Sequence, residues 1–250
     1  MTLPPAHSIV TVLMPASNHD DYRARMDLYV HDTAEDVAVS VAARISNAIS
    51  TANGGFNLGL AGGSTPAATY SHLRDAGLDW SDVDLWLSDE RWVAPDSPRS
   101  NGRMACEVLG AAACRRLARP GFSSEFDPDQ AAAAYTTVVK EIFGDSEPDL
   151  VLLGLGEDGH TASLFPGTAA LDVDTTAIVA NWVPDQEEHR LTATFPLLWS
   201  ASGVIFQVTG RQKAPALRDS LDGTTPAGRV GEGQGRVEWH VDRDAAYLLS

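Results

Sequence analysis

A chain of 250 residues, 44% hydrophobic and 21% charged, carries enough apolar material for one sizeable core, and its net charge of −16 argues against nucleic acid and anionic membranes as partners. Its longest apolar runs, 150–153 and 204–206, fall far short of the ~18 residues of a membrane span. No Lys or Arg precedes the short run 9–14, so a secretory signal is not expected either.

Residues 1–26 hold three prolines and no helical period, and read as an N-terminal extension in which 9–14 could add a strand. Residues 27–250 read as one domain. Its first strand is 27–30. Helix 33–51 follows, capped by Thr33, with Val37, Val41, Ile45 and Ile49 recurring every fourth residue. Strand 56–61 leads to helix 66–75, which has Pro66 in its first turn. Then come strand 83–87, helix 100–114 and helix 128–143. The apolar run 149–155 has the character of a strand buried on both faces. Further strands are read at 177–183 and 191–194, the latter leading into a helix from Pro196. Strand 204–209, helix 212–221, strand 237–240 and helix 242–249 complete the pattern.

This alternation predicts an α/β fold: a mostly parallel, doubly wound, Rossmann-like sheet with helices on both faces. The five glycines of 223–235 read as a flexible, linker-like loop. Cys106 and Cys114, if they share helix 100–114, stand ~12 Å apart along its axis. A disulfide needs Cα atoms ~4.4–6.8 Å apart, so free thiols in a reducing cytosol are expected.

Ligands of open α/β sheets bind beyond the carboxyl ends of the strands, and four marked segments fall there. Gly62-Gly63-Ser64-Thr65-Pro66 stops a strand and opens a helix, which suits either an anion seat or a capped turn. Asp89-Glu90-Arg91, with Ser100-Asn101-Gly102 soon after, is either a site or a charged surface turn. Gly154-Leu155-Gly156-Glu157-Asp158-Gly159-His160-Thr161-Ala162-Ser163-Leu164-Phe165 contains a literal G-x-G-x-x-G. The motif comes late in the chain, however, and its acidic residues would crowd a pyrophosphate. His160, two residues after Asp158 in a glycine loop, is the better candidate for an oriented general base. In Gly210-Arg211-Gln212-Lys213, a lysine at a helix start opposes the dipole and suggests an anionic partner. No zinc-ligand spacing, Walker A motif or nucleophile elbow is present.

In order and over roughly 27–249, these segments resemble the 6-phosphogluconolactonases, within the wider family that includes glucosamine-6-phosphate deaminases. Arg190-Leu191-Thr192 and Glu238-Trp239-His240-Val241-Asp242 also match landmarks of that family. The resemblance implies cytoplasmic hydrolysis of 6-phospho-D-glucono-1,5-lactone to 6-phosphogluconate, in the pentose phosphate pathway. It implies His160 as the base that activates water, with Asp158 orienting it. Gly63, Ser64, Thr65, Asp89, Arg91, Asn101, Arg190 and Lys213 would shape the sugar-phosphate pocket, with Arg91, Arg190 and Lys213 converging on one cleft. No cofactor or metal is expected, and a monomer is the expected state.

Two departures stand out. Gly102 replaces a larger side chain, which suggests a more open pocket wall, and the glycine-rich segment before Val237 is longer. The deaminases carry a Glu five residues after the His, where this chain has Phe165. A phenyl group cannot transfer a proton, which favours the lactonase over the isomerase/deaminase. A non-catalytic sugar-phosphate sensor is the remaining alternative.

Overall fold

The computed structural model describes residues 8–10, 26–123, 125, 127–233 and 235–249. In chain order the elements are β1 (Ser8–Val10), β2 (Met26–His31), α1 (Ala34–Thr51), β3 (Phe56–Leu60), α2 (Ser64–Asp75), β4 (Val83–Leu87), β5 (Asp89–Arg91), α3 (Asn101–Leu109) and α4 (Ala111–Cys114). They continue with α5 (Pro128–Phe143), β6 (Leu150–Gly154), β7 (Ile178–Val183), β8 (Glu188–Ala193), α6 (Phe195–Ser200), β9 (Gly203–Val208), α7 (Ala214–Leu221), α8 (Pro226–Arg229) and β10 (Arg236–Asp242). Of the extension, only β1 and Met26, which opens β2, lie within the described residues. β1 pairs antiparallel with β2, and the rest of 9–14 lies outside the described residues.

The main sheet runs β1-β2-β10-β9-β6-β3-β4, parallel throughout except for β1. Alternation along β6 shows how both faces are covered. Leu150 and Leu152 pack with Val37, Val41 and Ile45 of α1, Tyr70 of α2 and Leu109 of α3. Val151 and Leu153 pack with Tyr135 and Val139 of α5, Leu198 of α6 and Leu217 of α7. α1 begins in a full capping box, with Thr33 and Asp36 satisfying each other's backbone N–H. Its fully buried Val37, Val41 and Ile45 each contribute about 1.5–3 kcal/mol. The chain steps outward from β3 to β4 and then returns to β6 on the other side of β3. The order therefore reverses between β3 and β6, and the carboxyl ends of these strands are where open α/β sheets bind ligands.

A second sheet, antiparallel in the order β5-β8-β7, was not anticipated. β5 has only three residues, and β8 begins with the polar Glu188-His189-Arg190, so neither carries a strong apolar signal.

Four sequence expectations need correction. Helix 100–114 is broken at Gly110, whose φ of +89° turns the chain between α3 and α4. The turn brings the Cα atoms of Cys106 and Cys114 to 4.7 Å, and the two form a disulfide rather than free thiols. Segment 223–235 is no linker: it contains α8 and a 3-10 turn at Val230–Glu232, and Pro226, Ala227, Gly228 and Val230 are buried. Of the expected helix 242–249, only a 3-10 turn at Ala245–Leu248 forms, because Asp242 belongs to β10 and its carboxylate accepts from Ala245 N–H.

Candidate active site

The loop after β6 is folded around its histidine. Gly156 N–H donates to the His160 carbonyl at 2.8 Å, and Thr161 Oγ donates to the Gly154 carbonyl at 2.9 Å. A Cβ on Gly156 would overlap the His160 ring and the Asp158 carboxylate, so only glycine lets the loop close here. Gly159 has φ +81°, and its Cα lies against Thr225, while its carbonyl accepts from Ala227 N–H at 3.0 Å. Two of the three glycines of the motif, Gly156 and Gly159, are thus explained by close contacts within the protein, while a Cβ on Gly154 would meet nothing. No helix opens behind it, as a dinucleotide fingerprint would require.

His160 Nδ1 lies 2.5 Å from Asp158 Oδ1. A carboxylate can only accept, so this bond puts the proton on Nδ1 and leaves a lone pair on Nε2. Nε2 makes no hydrogen bond among the described residues, and the side chain is 26% exposed. Burial raises the Asp158 pKa, but its hydrogen bonds and the His160 charge outweigh this and hold the carboxyl below its ordinary value. It stays ionised and keeps the ring oriented.

Asp89 connects three elements. Its Oδ2 accepts from Ser163 Oγ at 2.6 Å, its Oδ1 accepts from Asn101 Nδ2 at 3.1 Å, and Arg190 Nη1 lies 3.9 Å away. Asn101 Oδ1 accepts from Arg91, and a Cβ on Gly62 would overlap the Asn101 side chain. The glycine turn after β3 therefore packs directly on the start of α3. Arg91 and Arg190 are register partners across β5 and β8. Arg190 is buried and also meets Glu188 at 2.6 Å and Gln186. Burial lowers its pKa, and Asp89 and Glu188 oppose that shift.

Beyond the carboxyl end of β3, Ser64 and Thr65 begin α2, which has no side-chain cap. Thr65 Oγ lies 3.0 Å from Thr209 Oγ, next to the turn that carries Lys213. Lys213 Nζ is 4.0 Å from Glu157 of the histidine loop. The expected residues thus fall into a connected set around the carboxyl ends of β3, β4, β6 and β9.

Glu90, Ser163, Phe165, Thr209 and Thr225 were not singled out as site residues. Glu90 lies behind the site and accepts from Gly102 N–H, Asn101 N–H, Ser100 Oγ and Arg91 N–H. Its burial raises its pKa, and those four donors restrain the rise. The space beside Gly102 is not open: the Arg119 side chain fills it, where a Cβ would meet Arg119 Cδ at 2.5 Å. A cavity of about 460 Å³ lined by Lys140, Glu147, Thr176 and Leu197 lies beside the residues leading into β6 and β7, away from this set.

Residues 30–239 match the model of the glucosamine-6-phosphate isomerase/6-phosphogluconolactonase family. The chain belongs to this family. It is 36% identical over 211 residues to a 6-phosphogluconolactonase of Nostoc, covering 79% of this chain and 86% of that one. It superposes on the 6-phosphogluconolactonase of Trypanosoma brucei with a TM-score of 0.79, at 26% identity, covering 89% of this chain and 98% of the other. A monomeric glucosamine-6-phosphate deaminase shares the fold, with a TM-score of 0.77 at 22% identity over 88% of this chain and 99% of that one. The fold therefore does not by itself separate the two chemistries.

Proposed function

We propose that this chain hydrolyses 6-phospho-D-glucono-1,5-lactone to 6-phospho-D-gluconate, with His160 as general base. The observation that carries the proposal is the His160–Asp158 pair at the point where the sheet order reverses: Nδ1 is engaged and Nε2 is open. Nε2 takes a proton from water as the water oxygen attacks the lactone carbonyl. The tetrahedral intermediate expels the ring oxygen, which recovers the proton from the imidazolium. Asp158 stabilises that imidazolium and holds its orientation.

The phosphate is assigned to the N-terminus of α2 at Gly63, Ser64 and Thr65, where free backbone N–H groups meet the positive end of the helix. Lys213 and Arg91 supply cationic contacts to the substrate. Arg190, already neutralised by Glu188 and Asp89, orders the wall that Asp89 and Asn101 form. A local cluster of this kind offsets the repulsion between an anionic substrate and a chain of net charge −16. The working unit is taken as a monomeric single domain, 27–250, in the cytoplasm. The Cys106–Cys114 disulfide removes the free-thiol argument for that location.

Phe165 favours hydrolysis over deamination, because an apolar ring stands in contact with the base. The test is turnover of the phosphorylated lactone above its spontaneous hydrolysis, run beside glucosamine 6-phosphate. The expected result is catalysed lactone opening without ammonia release. Ammonia release would overturn the assignment, and binding of both compounds without turnover would make the chain a sensor.

A further inference from the structure

The Asp158 hydrogen bond fixes one atom of the His160 ring. With the ring otherwise held only through its Cβ, small changes in the side-chain torsions within the tolerance of that bond rock the imidazole and redirect the Nε2 lone pair. A second contact is needed, and it comes from five residues downstream. The Phe165 ring lies face-on to the imidazole, with centroids 3.9 Å apart and planes 28° from parallel. Phe165 is itself buried, and its ring centroid is 5.9 Å from the Arg190 guanidinium carbon.

The backbone between the two rings is built to bring them together. Leu164 N–H donates to the Thr161 carbonyl at 2.9 Å, closing a four-residue turn. Ala162 sits in that turn at φ +47°, a left-handed conformation that a non-glycine residue adopts at a cost. The turn is held from outside: Ser163 Oγ donates to Asp89 and Ser163 N–H donates to Thr192 Oγ. A strained turn kept in place by buried hydrogen bonds signals a functional constraint.

We propose that Phe165 is a positioning residue: its ring, itself buried, fixes the plane of the His160 imidazole. This rests on the reading of His160 as general base. The ring is apolar, so it competes for no proton. The same position bears on specificity, since an acidic side chain there would put a second proton-transferring group beside the His160 ring in place of an apolar one.

The test compares Phe165→Leu, Phe165→Tyr and wild type in lactone turnover, with thermal unfolding to establish that each is folded. Phe165→Leu is expected to lower kcat about tenfold with KM held within about twofold, as small misplacement of a reacting group does. Phe165→Tyr, which keeps the ring, should retain most of kcat. An independent readout is the NMR signal of the His160 side chain, assigned by its loss in His160→Ala. Stacking predicts an upfield ring-current shift in wild type that is lost in Phe165→Leu. A folded Phe165→Leu with wild-type kcat, or with only KM raised, overturns the proposal. So does a wild-type His160 signal without the upfield shift, which decides the matter even where the leucine variant does not fold. Wild-type turnover by His160→Ala would instead remove the parent reading, while the ring-current shift would still report the stack.

Discussion

Two glycine-rich segments, 154–165 and 223–235, lie against each other, yet they differ in how they announce themselves. The first places Asp158 and His160 among its glycines, and the chemistry of those side chains marks it. The second carries neither Asp nor His and reads as a linker. In the folded chain it supports the first: Thr225 packs on Gly159, and Ala227 N–H holds the carbonyl of the residue directly before His160. Its own glycines serve close approach. Gly228 meets the Ser220 carbonyl, Gly233 meets the backbone of Trp199, and Gly235 meets the carbonyl of Ala201. Glycine marks the absence of a side chain, and from sequence alone the absence that permits flexibility looks the same as the absence that permits contact.

The contact between the segments is the first place to break this comparison. Gly159→Ala adds a Cβ at φ +81° that would meet Thr225 at 2.6 Å. It should cost roughly 2–4 kcal/mol of stability through strain and overpacking, and lower kcat by about ten- to a hundredfold by displacing His160. Chemical denaturation and steady-state kinetics measure the two effects. A variant as stable and active as wild type would mean that 223–235 does not support the histidine loop.

A second comparison lies within 223–235. A Cβ on Gly228 would run into backbone at 2.4 Å, while one on Gly223 would meet open space at φ +76°. Gly228→Ala should therefore destabilise by about 2–3 kcal/mol, and Gly223→Ala by only about 1 kcal/mol, from conformational strain. Equal and negligible changes in Tm would restore the linker reading.

A third expected effect, on stability alone, concerns the Cys106–Cys114 disulfide, which lies outside both segments. It closes a loop of sequence separation 8, which is worth about 2.5 kcal/mol by chain-entropy reasoning. Cys106→Ser with Cys114→Ser should thus lower Tm by about 5 °C and leave kcat unchanged at room temperature. Thiol titration of the unreduced protein should find no free thiol. Two titratable thiols would return the chain to the free-cysteine reading.

These contrasts explain what could be read in advance. Val37, Val41, Ile45 and Ile49 set the phase of α1, and the apolar run of β6 marked a strand covered on both faces, so the main sheet was legible. The residues at the strand ends were legible because charge and hydroxyl groups clustered there against an apolar background. What escaped was decided by one residue or by backbone atoms. Gly110 breaks a pattern whose alanines would have continued the helix, and with it goes the disulfide geometry. β8 pairs through backbone while its first residues are polar, so its extent was underread. Ser163 and Phe165 stood within a segment already singled out, but their roles depend on a turn at Ala162 whose φ of +47° no propensity suggests.

The central claim is that His160 is the base of a lactone hydrolase, and the direct measurement is kcat of His160→Ala on the phosphorylated lactone, corrected for spontaneous opening. The side chain is partly exposed and its backbone bonds do not depend on the ring, so the variant should keep the wild-type Tm within a few degrees. The account predicts a fall in kcat of about 10²–10⁴-fold in a folded protein. Turnover near the wild-type rate would contradict it.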